Sequence, residues 1–218
     1  MRALIPLATA VLTSTPLIAQ EYGSGRSGPR ALLLRDREIA LARSAAPAAL
    51  SDSATIYVLT ATGYQIAVNG TNGAACYVSR DWPEALEPHC FDPEGTATVM
   101  PRAMRRVELL HQGRSPEEAD REIAEGVMTG TFKLPRRPVV SYMLSGAQEL
   151  ISDDGRKVGA WKPHLMIYYP YFTAADAGLK SPADSPEMFV VDSGRPTASL
   201  IIVVPSFVHP ASTEAARR

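Results

Sequence analysis

Two textures alternate along the chain. From Ala31 to Ala46 the stretch ALLLRDREIALARSAA is rich in Ala, Leu, Arg and Glu, carries apolar residues at 31, 34, 41, 42 and 45, and halts at Pro47. That composition and the proline predict a helix. Short β-branched or aromatic segments follow: TIYVLT, YQIAVNGT, AACYVSR and HCFD. Glycine-containing turns, Asn72-Gly73 among them, separate the first three and predict an antiparallel meander. Within AACYVSR, strand alternation puts Cys76 and Val78 on one face and Tyr77 and Ser79 on the other.

A helical pair comes next. PRAMRRVELLHQ, Pro101 to Gln112, sets Ala103, Met104, Val107 and Leu110 on one face and ends at Gly113. Ser115-Pro116-Glu117-Glu118 then reads as a capping box with proline in the first helical turn. Ala119, Ile123, Val127 and Met128 recur behind it at helical spacing. LPRRP breaks the pattern, and four strand candidates follow at 139–145, 164–170, 188–192 and 198–205. In the last, LIIVV shows no alternation, which predicts a strand covered on both faces. SDDGRK and DSGRP are turn sequences. The sum is an α+β fold: a single domain with a mostly antiparallel sheet of about seven or eight strands and helices packed on one face.

The ends differ from this middle. Arg2, an apolar run from Ala3 to Leu12 and a small residue at Ala19 have the three-part layout of a secretory signal peptide over 1–19. Residues 20–30 are rich in Gly and Ser and are expected to be flexible, 31–205 to form the domain, and 206–218 to be a disordered tail. GSGRSG, Gly23 to Gly28, matches G-x-G-x-x-G in letters only, since the phosphate-binding version follows a strand and opens a helix. Removing the leader leaves about 199 of the 218 residues, enough for one domain. A formal charge of −1 without a basic stripe or polybasic block argues against nucleic acid or a stable membrane anchor as partner.

Export places the protein outside the reducing cytoplasm, in a secreted or periplasmic setting. There Cys76 and Cys90, the two cysteines of the chain, are expected to form a disulfide. Such a bridge removes roughly 3 kcal/mol of unfolded-chain entropy. Unpaired buried thiols and a reactive thiol are the alternatives. A zinc site lacks the required spacing, since there is no C-x-x-C.

GTNGAACYVSRDW, EPHCFDPEGT, the Ser-Pro-Glu-Glu helix, VVSYMLS and KPHLMIYYPY together resemble a group of uncharacterised secreted bacterial proteins with no assigned activity. The resemblance spans roughly Ser51 to Val204 and implies an exported bacterial single-domain protein. It carries over no catalytic residue.

The familiar catalytic signatures G-x-S-x-G, H-E-x-x-H, S-x-x-K and the P-loop are missing from the sequence. Three polar clusters remain. His89, Asp92 and Glu94 beside Cys90 have metal-ligand chemistry, but Asp-Pro-Glu-Gly reads better as a turn in which Asp92 accepts from nearby amides. In KPHLMIYYPYF, His164 and Tyr168 share one strand face, with Tyr171 and Phe172 beyond the strand end at its rim, as in small-ligand pockets. An imidazole at 164 could serve as general base if Asp176 oriented it. Ser141 and Ser145 share strand parity, and Ser145 is the nucleophile candidate beside His164. The leading expectation is a small-molecule-binding or interaction protein that uses His164, Tyr168, Tyr171 and Phe172, with no cofactor and no metal. The alternative is a hydrolase-type enzyme with His164 as base and Ser145 or an activated water as nucleophile.

Overall fold

The computed structural model describes residues 28–81, 85–151, 157–181 and 185–205. The leader, most of the Gly/Ser-rich segment and the 206–218 tail fall outside the described residues. In chain order the elements are α1 (Arg35–Arg43), α2 (Ala48–Ser51), β1 (Thr55–Thr60), β2 (Gly63–Val68), β3 (Ala75–Ser79), β4 (Glu87–Phe91), α3 (Pro93–His111) and α4 (Pro116–Met128). They continue as β5 (Val139–Met143), β6 (Leu150–Ile151), β7 (Lys157–Gly159), β8 (His164–Tyr168), β9 (Met188–Val191) and β10 (Ser199–Val203). Eight strands form one sheet in the order β2-β1-β3-β4-β5-β8-β10-β9, and β6 pairs with β7 apart from it. Only β1 and β3 run parallel in the large sheet, so the fold is α+β and mostly antiparallel.

The predicted meander stops after one hairpin. β2 pairs with β1, but β3 lies on the far side of β1 and parallel to it. The connecting loop crosses the start of β1 and is held there by backbone bonds. Thr71 and Asn72 donate to the Ser53 carbonyl at 2.8 and 3.3 Å, and the Gly70 amide donates to Thr55 Oγ1 at 3.1 Å. A side chain at Gly70 would overlap the backbone of Ala54 and Thr55, so only glycine permits this crossing. The Asn72-Gly73 turn therefore belongs to a crossover. Asn72 accepts from the Ala74 amide at 3.0 Å and donates to the Leu50 carbonyl at 2.8 Å.

Helices cover both faces, where the sequence suggested one. Ala42, Ala45 and Ala46 pack on Ile56, Cys76, Val78 and Cys90. Val99 and Met100 of α3 pack on Ala75, Tyr77, Phe91 and Val139, the residues of opposite parity. β3 and β4 are consequently buried at every position. β10 is not covered in this way: Leu200 and Ile202 stay half-buried, because α1 lies over β1, β3 and β4 and α3 over β2 to β5. Cys76 and Cys90 stand opposite each other in the β3–β4 register and are joined as a disulfide.

α3 begins eight residues before the predicted start. Asp92 caps it by accepting from the Gly95 amide at 2.7 Å, with Pro93 in the first turn. Pro101 lies inside this helix, a position where proline removes one backbone bond. Pro101 and Ala97, whose carbonyl loses its partner, are both exposed, so water can take the bond. The capping box at Ser115 and Glu118 is formed as read from the sequence.

A buried ion pair ties the N-terminal part to this frame. Arg80 Nη2 lies 3.0 Å from Glu38 Oε2, both side chains being sealed from solvent. Glu38 also accepts from the Leu59 amide at 3.0 Å. Arg80 donates to the carbonyls of Ala31 and Val78 at 3.1 and 2.6 Å. Arg30 Nε reaches the Arg80 carbonyl at 3.0 Å, and the Gly28 amide reaches Leu110 at 3.0 Å. The described end of the segment expected to be flexible is thus anchored.

Glu38→Gln should cost about 3–5 kcal/mol, since it leaves a buried guanidinium without its counter-charge. Arg105→Gln, which breaks the half-exposed pair with Glu122 at 2.8 Å, should cost no more than about 1 kcal/mol. Urea unfolding of both variants makes the comparison. The double variant Cys76→Ala/Cys90→Ala should keep the sheet and lose roughly 3 kcal/mol in the same assay.

Candidate functional site

On the α3 side of the sheet the strand register gathers polar groups that a purely structural core would not need. Ser79 and Tyr77 of β3 face Glu87 and His89 of β4. Ser141 of β5 stands opposite Phe91 on one side and Met166 on the other. His164 and Tyr168 of β8 stand opposite Met143 and Val139. Alternation then puts Glu87, His89, Ser141, His164 and Tyr168 on one face. α3 forms the wall of this floor through Arg102 and Arg106.

The His89 ring packs beside both Tyr77 and Phe91, with centroids 5.4 and 6.0 Å away, and those two rings are 6.4 Å from each other. Its Nδ1 is 3.3 Å from Ser141 Oγ. Burial pushes this imidazole down to about 3, and the neighbouring His164 acts in the same sense. Glu87 accepts from Trp161 Nε1 at 2.8 Å. Burial and the charge of Asp81 push its carboxyl up to about 8, against the Trp161 bond and Arg106. At neutral pH the floor therefore holds a protonated carboxyl beside a neutral imidazole. Ser79 Oγ, on the residue opposite Glu87, is buried and has no hydrogen-bond partner among the described residues.

His164 and Tyr168 do share this floor, four residues and about 13 Å apart along β8. His164 is only 6% exposed. Its Nδ1 lies 2.7 Å from the Lys162 carbonyl. A carbonyl only accepts, so Nδ1 carries the hydrogen of the neutral ring and the lone pair sits on Nε2. Burial lowers the pKa of this imidazole, while the Lys162 carbonyl opposes the shift. The Tyr168 hydroxyl donates to Met166 Sδ at 3.3 Å. Tyr171 is exposed, with a left-handed backbone at φ 63°. Phe172 is half-buried beside it, in a turn whose Tyr171 amide donates to the Arg195 carbonyl and whose Phe172 carbonyl accepts from Gly194, both at 2.8 Å.

The remaining candidates have other partners. Ser145 Oγ is 2.7 Å from Ser44 Oγ at the end of α1 and accepts from the Ala147 amide at 3.1 Å. Asp176 accepts from the amide and hydroxyl of Thr173 at 2.9 and 2.8 Å. Asp92 and Glu94 are taken by the amides of Gly95, Val140 and Arg136 at 2.7, 3.1 and 2.9 Å. Among the described residues no three His, Cys, Asp or Glu side chains converge on a point that would hold a metal ion. A groove of about 710 Å³ between α3 and α4 is lined by Glu94, Thr98, Met128, Phe132, Lys133 and Arg136, and Glu94 is the one sequence candidate in it.

Sequence reasoning missed Glu87 and Arg102, and weighed His89 only as a metal ligand beside the Asp92–Gly95 turn. The parity of EPHCF was the available signal: 87, 89 and 91 alternate with the disulfide cysteine and so must face away from it. No protein-family model, curated protein or solved structure matches this chain.

The two shifted groups act on stability with opposite signs. Folding suppresses protonation of His89, so stability falls as pH drops from 6.5 towards about 3, and His164 adds to this at the upper end. Folding retains the Glu87 proton, so stability falls as pH rises from 4.5 to about 8. Urea midpoints across pH should show a maximum near about 6. Glu87→Gln should abolish the fall between pH 6.5 and 8 and leave the acid limb in place.

Proposed function

We propose that this chain is an exported protein that binds a small molecule on the sheet face beside α3, with His164 and Tyr168 in the floor and Tyr171 and Phe172 at the rim. The observation that carries this reading is the concentration of buried polar groups on one sheet face. Glu87, His89, Ser141 and His164 sit within a surface otherwise built of aromatic and aliphatic side chains such as Tyr77, Phe91, Val139 and Met166. Burying polar groups is costly for folding, and their retention is the mark of a binding or catalytic surface. The His164 tautomer supports it further, because a lone pair on Nε2 offers a ligand one acceptor within an apolar surround.

Export rests on the leader-like N-terminus, the resemblance to secreted bacterial proteins and the disulfide, which suits an oxidising compartment. No helix among the described residues is long and apolar enough to cross a membrane.

A hydrolase-type enzyme with His164 as general base is the second reading, favoured by the same Nε2 lone pair. His164→Ala separates the two. The variant should fold, with a loss of about 1–3 kcal/mol for the Lys162 bond and the vacated volume. In a broad screen of ligands and substrates on the oxidised protein, binding should raise the melting temperature of wild type and not of His164→Ala, without turnover in either. Turnover by wild type that disappears in the variant would establish the enzyme instead. Equal responses in both proteins would remove His164 from the site.

A further inference from the structure

α3 carries three arginines within two turns, Arg102, Arg105 and Arg106. Arg105 pairs with Glu122 at 2.8 Å. Arg106 pairs with Asp81 at 3.2 Å and with Asp120 at 2.6 Å. Arg102 is the most deeply buried of the three, at 6% exposure, yet its Nη1 is sealed from solvent without an acceptor among the described residues. Burying a guanidinium nitrogen without an acceptor is costly, so Nη1 of Arg102 is a place where an outside acceptor would be stabilising.

Its surroundings define what is wanted. The titratable groups that act on Arg102 are Tyr168 on β8, kept neutral because burial raises its pKa, and Asp192 just past β9, whose negative charge favours the guanidinium. The Tyr168 hydroxyl has only the thioether of Met166, a weak acceptor. Asp192 is turned aside: its Oδ2 accepts from the Thr197 hydroxyl at 2.6 Å, and its backbone is left-handed at φ 52°. Tyr171, also left-handed, lies on the adjoining turn, which the Tyr171–Arg195 and Gly194–Phe172 bonds fasten to the Asp192 loop. Left-handed non-glycine residues are uncommon and cluster where a site imposes them. The floor next to Tyr168 is aromatic, with the Phe91 ring 6.1 Å away.

We propose that Arg102, assisted by the Tyr168 hydroxyl, binds the carboxylate of a small organic acid whose apolar body lies along the half-buried Tyr168 ring towards the exposed Tyr171. The proposal rests on the ligand-binding reading above and names the class of ligand. A carboxylate offers two in-plane acceptors to the guanidinium fork. The fixed negative charge of Asp192 leaves room for one negative charge and not two, which favours a monocarboxylate over a phosphate dianion.

Titration of the oxidised full chain with benzoate, its uncharged analogue benzamide and inorganic phosphate tests this, read by calorimetry and by the Arg102 Nε–H signal in a nitrogen-15 NMR spectrum. Benzoate should bind wild type and move that signal, and benzamide and phosphate should each bind at least about tenfold more weakly. Arg102→Met, which removes a buried charge and should fold, should weaken benzoate by at least about tenfold, with Arg102→Lys between the two. Benzoate binding unchanged in Arg102→Met, benzamide or phosphate binding as well as benzoate, or no benzoate binding at all would overturn the carboxylate assignment. Binding of any probe that is lost in His164→Ala but kept in Arg102→Met would leave the ligand face standing and sink only the role of Arg102. Carboxylate binding that needs Arg102 but ignores His164 would do the reverse.

Discussion

The register between β3 and β4 is the constraint on which the candidate site depends. Both strands are covered on both faces, so every side chain must be buried on one side or the other. The Cys76–Cys90 bridge joins directly opposed residues on the α1 side. With that pair locked, Tyr77 must meet His89 and Ser79 must meet Glu87 on the α3 side. A slip of one residue would carry His89 and Glu87 into the alanine-lined contact with α1, where nothing could answer their polarity. The sulfur bridge thus fixes where the polar groups of the α3 side stand.

The two faces of the sheet handle buried polarity in contrasting ways. On the α1 side the main polar pair is compensated, since Glu38 and Arg80 neutralise each other and their remaining atoms reach backbone groups of Leu59, Ala31 and Val78, while Nε of Arg43 is buried without a partner among the described residues. On the α3 side it is left partly open. Glu87 is held as a neutral acid with Trp161 as its described donor, and among the described residues Ser79 Oγ lacks a partner, as does Nη1 of Arg102. A satisfied network rigidifies a core, whereas an unsatisfied one costs stability that an outside partner can return.

Much of the local structure was legible because it is encoded locally. Ser115 and Glu118 announce their helix within four residues, and the β-branched runs mark β1, β5, β8 and β10. What escaped is non-local. Nothing in Asn69 to Ala74 reveals that the loop crosses β1, because the decisive contact is between Gly70 and backbone far back at Ala54 and Thr55. Pro101 resembled a helix start because proline favours first turns, while the true cap at Asp92 was read as a turn residue. The alternation in KPHLMIYY correctly put His164 and Tyr168 together. It could not foresee His89, Ser141 and Arg102 beside them, since strand pairing and helix placement supply those neighbours.

Met166 sits between His164 and Tyr168 on the sheet face, and Met128 lines the groove between α3 and α4. Methyl NMR of the oxidised protein with carbon-13-labelled methionine, followed through a library of small organic fragments, reads both surfaces in one spectrum. The account predicts fragments that move the Met166 methyl and leave Met128 still. Fragments that move only Met128, or a library that moves neither, would contradict a ligand site on the sheet face.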